Sequence, residues 1–363
     1  MSFVFDIRRL TFYIEAMTIR ENILLAPYST FKVGGPSRYF AAVTNDDDVR
    51  DAVRFAREND LEIFVLGGGS NVLIADSGFP GLVIRMENKG VQWGVKGGSS
   101  TAIADAGMTW DTLVALCVSR GLFGVENLSG IPGTVGASVV QNIGAYGVEI
   151  AERVEWIEVY DREDDSVRRI AAADAAFGYR ESIFKHDAGK QLIVLRVAFL
   201  LSHKAELKRE YKDIQSYIRE VKPVTSLLDM REAVLAIRSR KFPDLEKYGT
   251  AGSFFKNPIV EASAAARFLQ RYPDAPNYPL LGGSVKLSAA WIIDHILHMR
   301  GVREGNVGTW SEQALVLINY GGASADEIKN FAAHIQERAF HETAIALEPE
   351  AVFVDDKKNK KQK

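Results

Sequence analysis

The sequence predicts an α+β protein, and three observations carry that prediction. The stretch IFVLGGGSNVLI (63–74) places a short apolar run on each side of three glycines, and a further strand follows rather than a long helix, so the βαβ context is missing. Residues 153–200 hold segments of alternating character, VEWIEVYDR, SVRRIAA and QLIVLRVAFLL, which read as antiparallel strands. From 227 onward helical spacing dominates, with short strands between the helices.

In chain order, DVRDAVRFARENDL from residue 48 has helical spacing, with Asn45 to Asp47 as candidate caps. GFPGLVIRM reads as a turn and a strand, and DAGMTWDTLVALCVSRG (105–121) as a helix ended by glycine. The glycine-dense stretch 121–150 reads as loop wrapped around a ligand. A charged, mostly helical stretch at 204–221 leads to Pro223, and this shift in composition marks the domain boundary. Helices are expected at about 227–239, 260–271, 286–299 and 324–340. Residues 1–16 read as an extension upstream of Met17, and the final DDKKNKKQK as a disordered tail.

A chain of 363 residues favours two or three domains, and 47% hydrophobic residues are ample for their cores. A formal net charge of −3 gives no reason to expect nucleic acid or a membrane surface as partner. The lone Cys117 excludes an internal disulfide framework and any CxxC redox or zinc site, so a reducing cytoplasm fits. No HExxH is present and no Asp/Glu cluster has calcium-loop spacing; His295 and His298 share one helical face at most, and no metal site is expected. No apolar run approaches the roughly 20 residues of a membrane span. MSFVFDIRRLTFYIEA lacks the apolar core and cleavage site of a signal peptide.

GGGSN (67–71) follows an apolar strand, as a phosphate-binding loop does, because glycine leaves backbone N–H groups free to converge on an anion. It matches neither GxxxxGK[ST] nor GxGxxG opening a helix, so a plain tight turn stays open. With SGIPGTVGASVVQNIGAYG (129–147) the case improves, because so long a run of small residues suits backbone laid along an extended nucleotide or dinucleotide. AGSFFKNP (251–258) sets Ser253 between Gly252 and two phenylalanines built for burial. That hydroxyl has four readings: turn residue, phosphate binder, nucleophile or proton donor. No GxSxG or SxxK surrounds it, which counts against the nucleophile.

The order of motifs resembles the UDP-N-acetylenolpyruvoylglucosamine reductase family. The resemblance runs from Tyr28 to Phe353 and rests on YSTFKVGGPSRYF, VLGGGSNVLI, ENLSGIPGTVGASVVQNIGAYG, FGYRESIFK, RKFPD, AGSFFKNP, SAAWIID and LEPE. One departure is Ser29, where the family often has asparagine. The resemblance implies an FAD-binding domain of the vanillyl-alcohol-oxidase/PCMH type followed by a separate α+β substrate-binding domain. Its parts would be subdomains 17–85 and 86–225, a substrate domain 226–348, and a final strand with the Lys-rich tail, 349–363.

Further implications are non-covalent FAD, NADPH as hydride donor, and UDP-N-acetylglucosamine enolpyruvate as substrate, reduced to UDP-N-acetylmuramate by a bacterial, cytoplasmic monomer. The FAD pyrophosphate would lie on Gly67, Gly68, Gly69, Ser70 and Asn71. Gly130, Ile131, Pro132, Gly133, Gly136, Ala137, Asn142, Gly144 and Tyr146 would surround the rest. KREYKDI (208–214) matches the longer-loop form of the family, which closes a tyrosine, here Tyr211, over the substrate.

Hydride delivered to the vinyl carbon leaves negative charge on the neighbouring carbon and its carboxylate. Such an enolate-like species needs a cationic or hydrogen-bonding group and a proton donor. The resemblance assigns Arg180 to the carboxylate, Glu350 as a protonated hydrogen-bond donor that assists, and Ser253 as the proton donor; Glu348 is the structural member of LEPE. Lys241 and Asn257 are matched to the nucleotide end, with Gln313 as a further candidate. Another flavin oxidoreductase would explain the glycine loops but not GYRES, AGSFFKNP and LEPE together.

Overall fold

The computed structural model describes residues 17–204 and 206–354, so the expected N-terminal extension and the Lys-rich tail lie outside the described residues. Strands β1 (Ile19–Leu24) and β2 (Pro36–Val43) pair antiparallel and lead into helix α1 (Asp46–Glu58). Asn45 caps that helix by accepting the Asp48 N–H at 3.0 Å, as its sequence predicts, and three aspartates occupy the first turn where the helix dipole favours them. β3 (Ile63–Leu66), β4 (Val72–Ile74) and β5 (Phe79–Met86) follow, and the first sheet has the order β1-β2-β5-β3. β4 stands outside it.

β6 (Val91–Lys96) and β7 (Ser99–Asp105) begin a second sheet. Helix α2 (Trp110–Ser119) starts five residues later than its periodicity suggests, because β7 runs through Asp105 and the Gly107 N–H is held by Asn88 Oδ1 at 2.9 Å. The expected loop 121–150 contains a short helix, α3 (Val135–Val140), and a small hairpin of β8 (Gly144–Ala145) and β9 (Val148–Glu149). Small side chains permit that helix: a Cβ on Gly136 would lie 2.8 Å from the Ala106 Cβ. The strands expected at 153–200 form as β10 (Val154–Asp161), β11 (Ser166–Ala171) and β12 (Leu192–Leu201), giving an antiparallel sheet β11-β10-β12-β7-β6. One core spans both sheets, with Ala41 and Ile84 of the first in the same cluster as Val159 and Phe199 of the second. Cys117 is buried in it, and burial pushes its thiol up to about 12, which suits packing and not redox chemistry.

The stretch 204–221 is less helical than its charge pattern suggests. Helix α4 covers Lys212–Glu220 alone, with Tyr211 at its N-cap. Helix α5 (Leu227–Lys241) opens with a Ser226/Asp229 capping box. Ile214 and Tyr217 of α4 pack with Met230, Ala233, Val234 and Ile237 of α5 and with Tyr146, so the expected boundary at 225/226 falls between two helices of one core.

The C-terminal unit holds β13 (Ile259–Val260), α6 (Ala262–Arg271), β14 (Asn277–Pro279) and β15 (Val285–Leu287), with the strand order β13-β15-β14. The helix expected at 286–299 is instead the end of β15, one turn of α7 (Ala289–Trp291) and a π-helical segment, Ile292–Ile296. β16 (Arg303–Glu304), β17 (Val307–Trp310) and β18 (Gln313–Asn319) form a meander, then α8 (Ala325–Thr343) and β19 (Val352–Val354) close the chain. Phe254 and Phe255 are fully buried in this unit's core, which also takes in Phe31, Val33 and Leu73 of the first unit. Two further contacts fix the units together. β19 pairs in parallel with β4, and the Asp76 carboxylate accepts the Ala325 and Asp326 N–H groups at the start of α8, at 2.9 and 3.1 Å.

Candidate functional site

A cleft of about 1890 Å³ runs between the two units, walled by both glycine segments, by the 179–181 turn, by α5 and by the 250–257 and 349–354 segments. Every residue expected from the sequence at the site lines it, with the exception of Asn142. Asn142 is buried behind the wall with its side chain fully used: Nδ2 donates to Gly178 O at 2.7 Å and to Glu149 Oε2 at 3.0 Å, and Oδ1 accepts the Ala151 N–H at 3.2 Å. It shapes the site without facing it.

The glycine segments pack on each other. A Cβ on Gly67 would lie 2.5 Å from Thr134 Oγ1, and one on Gly68 would lie 2.7 Å from the Gly133 Cα. The glycines therefore allow two loops to meet, a reason distinct from the ligand approach that the sequence suggests. The N–H groups of Gly67 to Asn71 donate to no acceptor among the described residues, so they are free for an anion. Thr134 Oγ1 and Gln141 Oε1, also at the cleft, are buried without partners. Gly130 is clamped from two sides, its N–H donating to Asp111 Oδ1 at 2.6 Å and its carbonyl accepting from Arg238 Nε at 3.0 Å. Although burial pushes it up, hydrogen bonds from Arg231 and Gly130 hold the Asp111 carboxyl below its ordinary value. Tyr146 lines the far wall, its phenol pushed up to about 12 by burial.

Gly69 carries the strictest requirement. Its φ is +62°, and a Cβ there would lie 1.9 Å from the Tyr28 carbonyl oxygen. Gly69→Ala is expected to lower the melting temperature and the bound-flavin content together. Gly97→Ala is the control, because Gly97 has φ +57° with nothing within 4 Å and bears backbone strain alone, about 1–2 kcal/mol. Equal losses in the two variants would show that the loop contact at Gly69 carries no weight.

Ser253 sits on a short extended segment held from both sides. Ser253 bridges to Val316, Phe255 to Pro349, and Phe254 N–H donates to Leu315 O at 2.9 Å while its carbonyl accepts from Glu350 N–H at 2.7 Å. Gly252 makes the preceding turn at φ +74°. The Ser253 hydroxyl is part-buried at the cleft and has no hydrogen-bond partner among the described residues.

Arg180 occupies a tight turn closed by mutual bonds between Gly178 and Glu181, each 3.0 Å. Its φ of +57° is unusual for a side chain of this size. Nη2 donates to Gly144 O at 2.9 Å, and Nε lies 2.7 Å from Glu350 Oε1. Both partners of this ion pair are largely buried, and the contact is close rather than well aligned as a hydrogen bond. Glu350, expected as a hydrogen-bond donor that assists, thus has Oε1 set against the Arg180 guanidinium. Glu348 is exposed, whereas Glu350 is part-buried at the cleft. Asn71 Nδ2 donates to Glu350 O at 3.0 Å, and Asn71 O accepts the Val352 N–H at 2.9 Å, so the first glycine loop also positions Glu350.

Lys241 on α5 pairs with Asp213 on α4. Asn257 Oδ1 accepts the Ala289 N–H at 3.0 Å, Gln313 starts β18 at the cleft, and the Tyr211 ring, 46% exposed, meets the Tyr146 ring edge-on with centroids 5.4 Å apart. Sequence reasoning missed Tyr179, Lys185, Lys256, Arg238, Thr134 and Gln141, which all line the cleft. The first three stand inside FGYRESIFK and AGSFFKNP, and Arg238 precedes Lys241 by one helical turn, so their motifs were the available signal.

Residues 37–171 match the family model of the FAD binding domain, and residues 244–354 match that of the UDP-N-acetylenolpyruvoylglucosamine reductase C-terminal domain. The chain is 42% identical over 337 residues to the UDP-N-acetylenolpyruvoylglucosamine reductase of Pseudomonas syringae pv. tomato, covering 92% of this chain and 98% of that protein. It is 40% identical over 335 residues to the enzyme of that name from Neisseria meningitidis serogroup A, covering 92% and 96%. Among solved structures, UDP-N-acetylenolpyruvylglucosamine reductase from Thermus caldophilus matches with a TM-score of 0.66 at 26% identity, covering 93% of this chain and 100% of that one. A solvent-stable cholesterol oxidase matches with a TM-score of 0.50 at 12% identity, covering 92% and 87%, a likeness of fold alone. The fold is the expected one, an FAD-binding domain of the vanillyl-alcohol-oxidase/PCMH type followed by a separate α+β domain.

Proposed function

The chain belongs to the UDP-N-acetylenolpyruvoylglucosamine reductase family, and from that premise we infer that the cleft is the active site of an NADPH-dependent flavoenzyme of peptidoglycan precursor synthesis. It reduces the enolpyruvyl ether of UDP-N-acetylglucosamine enolpyruvate to UDP-N-acetylmuramate. The observation that carries this reading is the meeting of Arg180, Glu350 and Ser253, from three distant motifs, in one cleft walled by the glycine loops.

The residues fit FAD. The free N–H groups of Gly67 to Asn71 suit its pyrophosphate, and the partnerless Thr134 and Gln141 oxygens supply acceptors along the same wall. Bound there, FAD supplies the hydride that NADPH provides.

The chain's own residues do the rest. Ser253 holds a proton at Oγ, on a segment whose backbone is fixed on both edges, and gives it to the enolate carbon. Serine is a weak acid in water, but an enolate carbon is a strong base, and the buried Phe254 and Phe255 anchor the segment that presents the hydroxyl. Arg180 faces the substrate carboxylate, where charge develops, and Glu350 holds the guanidinium plane. Lys241, Asn257 and Gln313 take the nucleotide end, and Tyr211 belongs to a loop of the longer form that closes over the substrate. Its half-exposed ring at the mouth of the cleft supports that role. The enzyme works as a monomer in the bacterial cytoplasm.

The test is a single turnover. The purified protein should show flavin absorbance, bleach anaerobically with NADPH, and recover its colour when mixed with the enolpyruvyl nucleotide. A reduced protein that ignores the enolpyruvyl nucleotide overturns the assignment.

A further inference from the structure

Arg180 stands where a glycine would be the easy choice. In a turn closed by Gly178 and Glu181, the third residue alone has positive φ, the geometry of a type II turn, whose third position favours glycine. An arginine there costs about 1–2 kcal/mol of backbone strain, so surrounding contacts must hold it. Four contacts do so. The Gly178 carbonyl accepts from Asn142 Nδ2 at 2.7 Å, the guanidinium is bound by Gly144 O and Glu350, and the Arg180 carbonyl accepts from Lys185 Nζ at 2.6 Å.

The lysine is the unexplained member. Lys185 lines the cleft, is part-buried, and makes no ion pair among the described residues. Burial holds its ammonium below the ordinary lysine value, so its placement there is unfavourable in itself. It rises from a stiff base: Lys185 N–H donates to Ser182 O at 3.1 Å, and the fully buried Ser182 donates its hydroxyl to Val140 O at 2.7 Å. The charged donor thus connects α3 to the one peptide whose orientation sets the direction of the guanidinium.

We propose that Lys185 is a positioning residue for the reduction step: its ammonium, by holding the Arg180 carbonyl, keeps Arg180 in its left-handed conformation and its guanidinium on the substrate carboxylate. This rests on the role given to Arg180 above. The Lys185→Met variant keeps the stem and removes the donor, Lys185→Arg keeps a cationic donor, and both are made in the wild-type and Arg180→Lys backgrounds.

In stopped flow, Lys185→Met is expected to slow reoxidation by the enolpyruvyl nucleotide about 10–100-fold, the scale of a misplaced catalytic group. Reduction by NADPH should stay within about threefold, and flavin content should be unchanged, because neither depends on this peptide. Calorimetry of the oxidised protein with UDP-N-acetylmuramate, which carries the same carboxylate, should show weakened binding. Lys185→Arg should recover most of the reoxidation rate. In the Arg180→Lys background Lys185→Met should cost little more, since both changes damage one unit.

Equal slowing of both half-reactions, loss of flavin, or additive effects of the two substitutions would show a merely structural lysine and overturn the proposal. So would a Lys185→Arg variant as impaired as Lys185→Met. An impaired Arg180→Lys beside an unaffected Lys185→Met overturns the inference and leaves the function standing. A silent Arg180→Lys overturns the reading on which it rests.

Discussion

Ser253→Ala is expected to reduce cleanly with NADPH and then to reoxidise about 10²–10⁴-fold more slowly with the enolpyruvyl nucleotide, the range of a lost general acid. The structure argues that the defect will be confined to that step. The hydroxyl has no partner among the described residues, so its removal strands no buried donor or acceptor, and the fold should lose almost nothing. The backbone frame survives too, because the bonds on either side of Ser253, through Phe254 to Leu315 and Glu350, are made by main-chain atoms. Stopped-flow absorbance of the flavin separates the two half-reactions. Reoxidation at the wild-type rate would remove Ser253 from the chemistry and return it to the readings of a turn residue or a phosphate contact.

For Arg180→Lys the expected loss is about 10²–10³-fold in the same half-reaction, the scale of one donor aimed at developing charge. Lysine is the informative replacement. It keeps the charge and bears the same strain at φ +57°, so the difference between the two proteins reports the guanidinium itself. The fork binds Gly144 O through Nη2 and contacts Glu350 through Nε while further in-plane N–H donors remain for a carboxylate, and a single ammonium cannot hold all of these. Part of the loss will come from a Glu350 carboxylate left poorly paired in a largely buried place. Glu350→Gln separates the contributions, because it keeps the shape and drops the charge. If Arg180→Lys turns over within about threefold of wild type, the fork is not what the transition state needs.

Much of the local structure was legible in the sequence. Asn45 caps α1, the alternating runs between 153 and 200 are antiparallel strands, Gly252 makes a turn, and Phe254 and Phe255 are buried. These features follow from side-chain period, capping chemistry and dihedral preference, which act within a few residues. Where the reading slipped, a distant neighbour decided. Small residues between 134 and 140 read as loop, but Ala106 gives Gly136 a surface to pack against and a helix forms. Charge patterning extended a helix across 204–221 that forms from Lys212 onward.

The sequence by itself determined the class of fold, the motifs and the residue types the chemistry requires, because these are properties of short stretches. Tertiary structure decided what those residues meet. It placed Glu350 against an arginine 170 positions earlier, tied it to Asn71 in the first glycine loop, and turned Asn142 from the ligand to the wall behind it. It also gave Gly67 and Gly68 a second purpose, the close approach of another loop. Such contacts depend on how two units dock through β4 and β19, 280 residues apart at Val72 and Val352, and no local pattern in the chain encodes that distance.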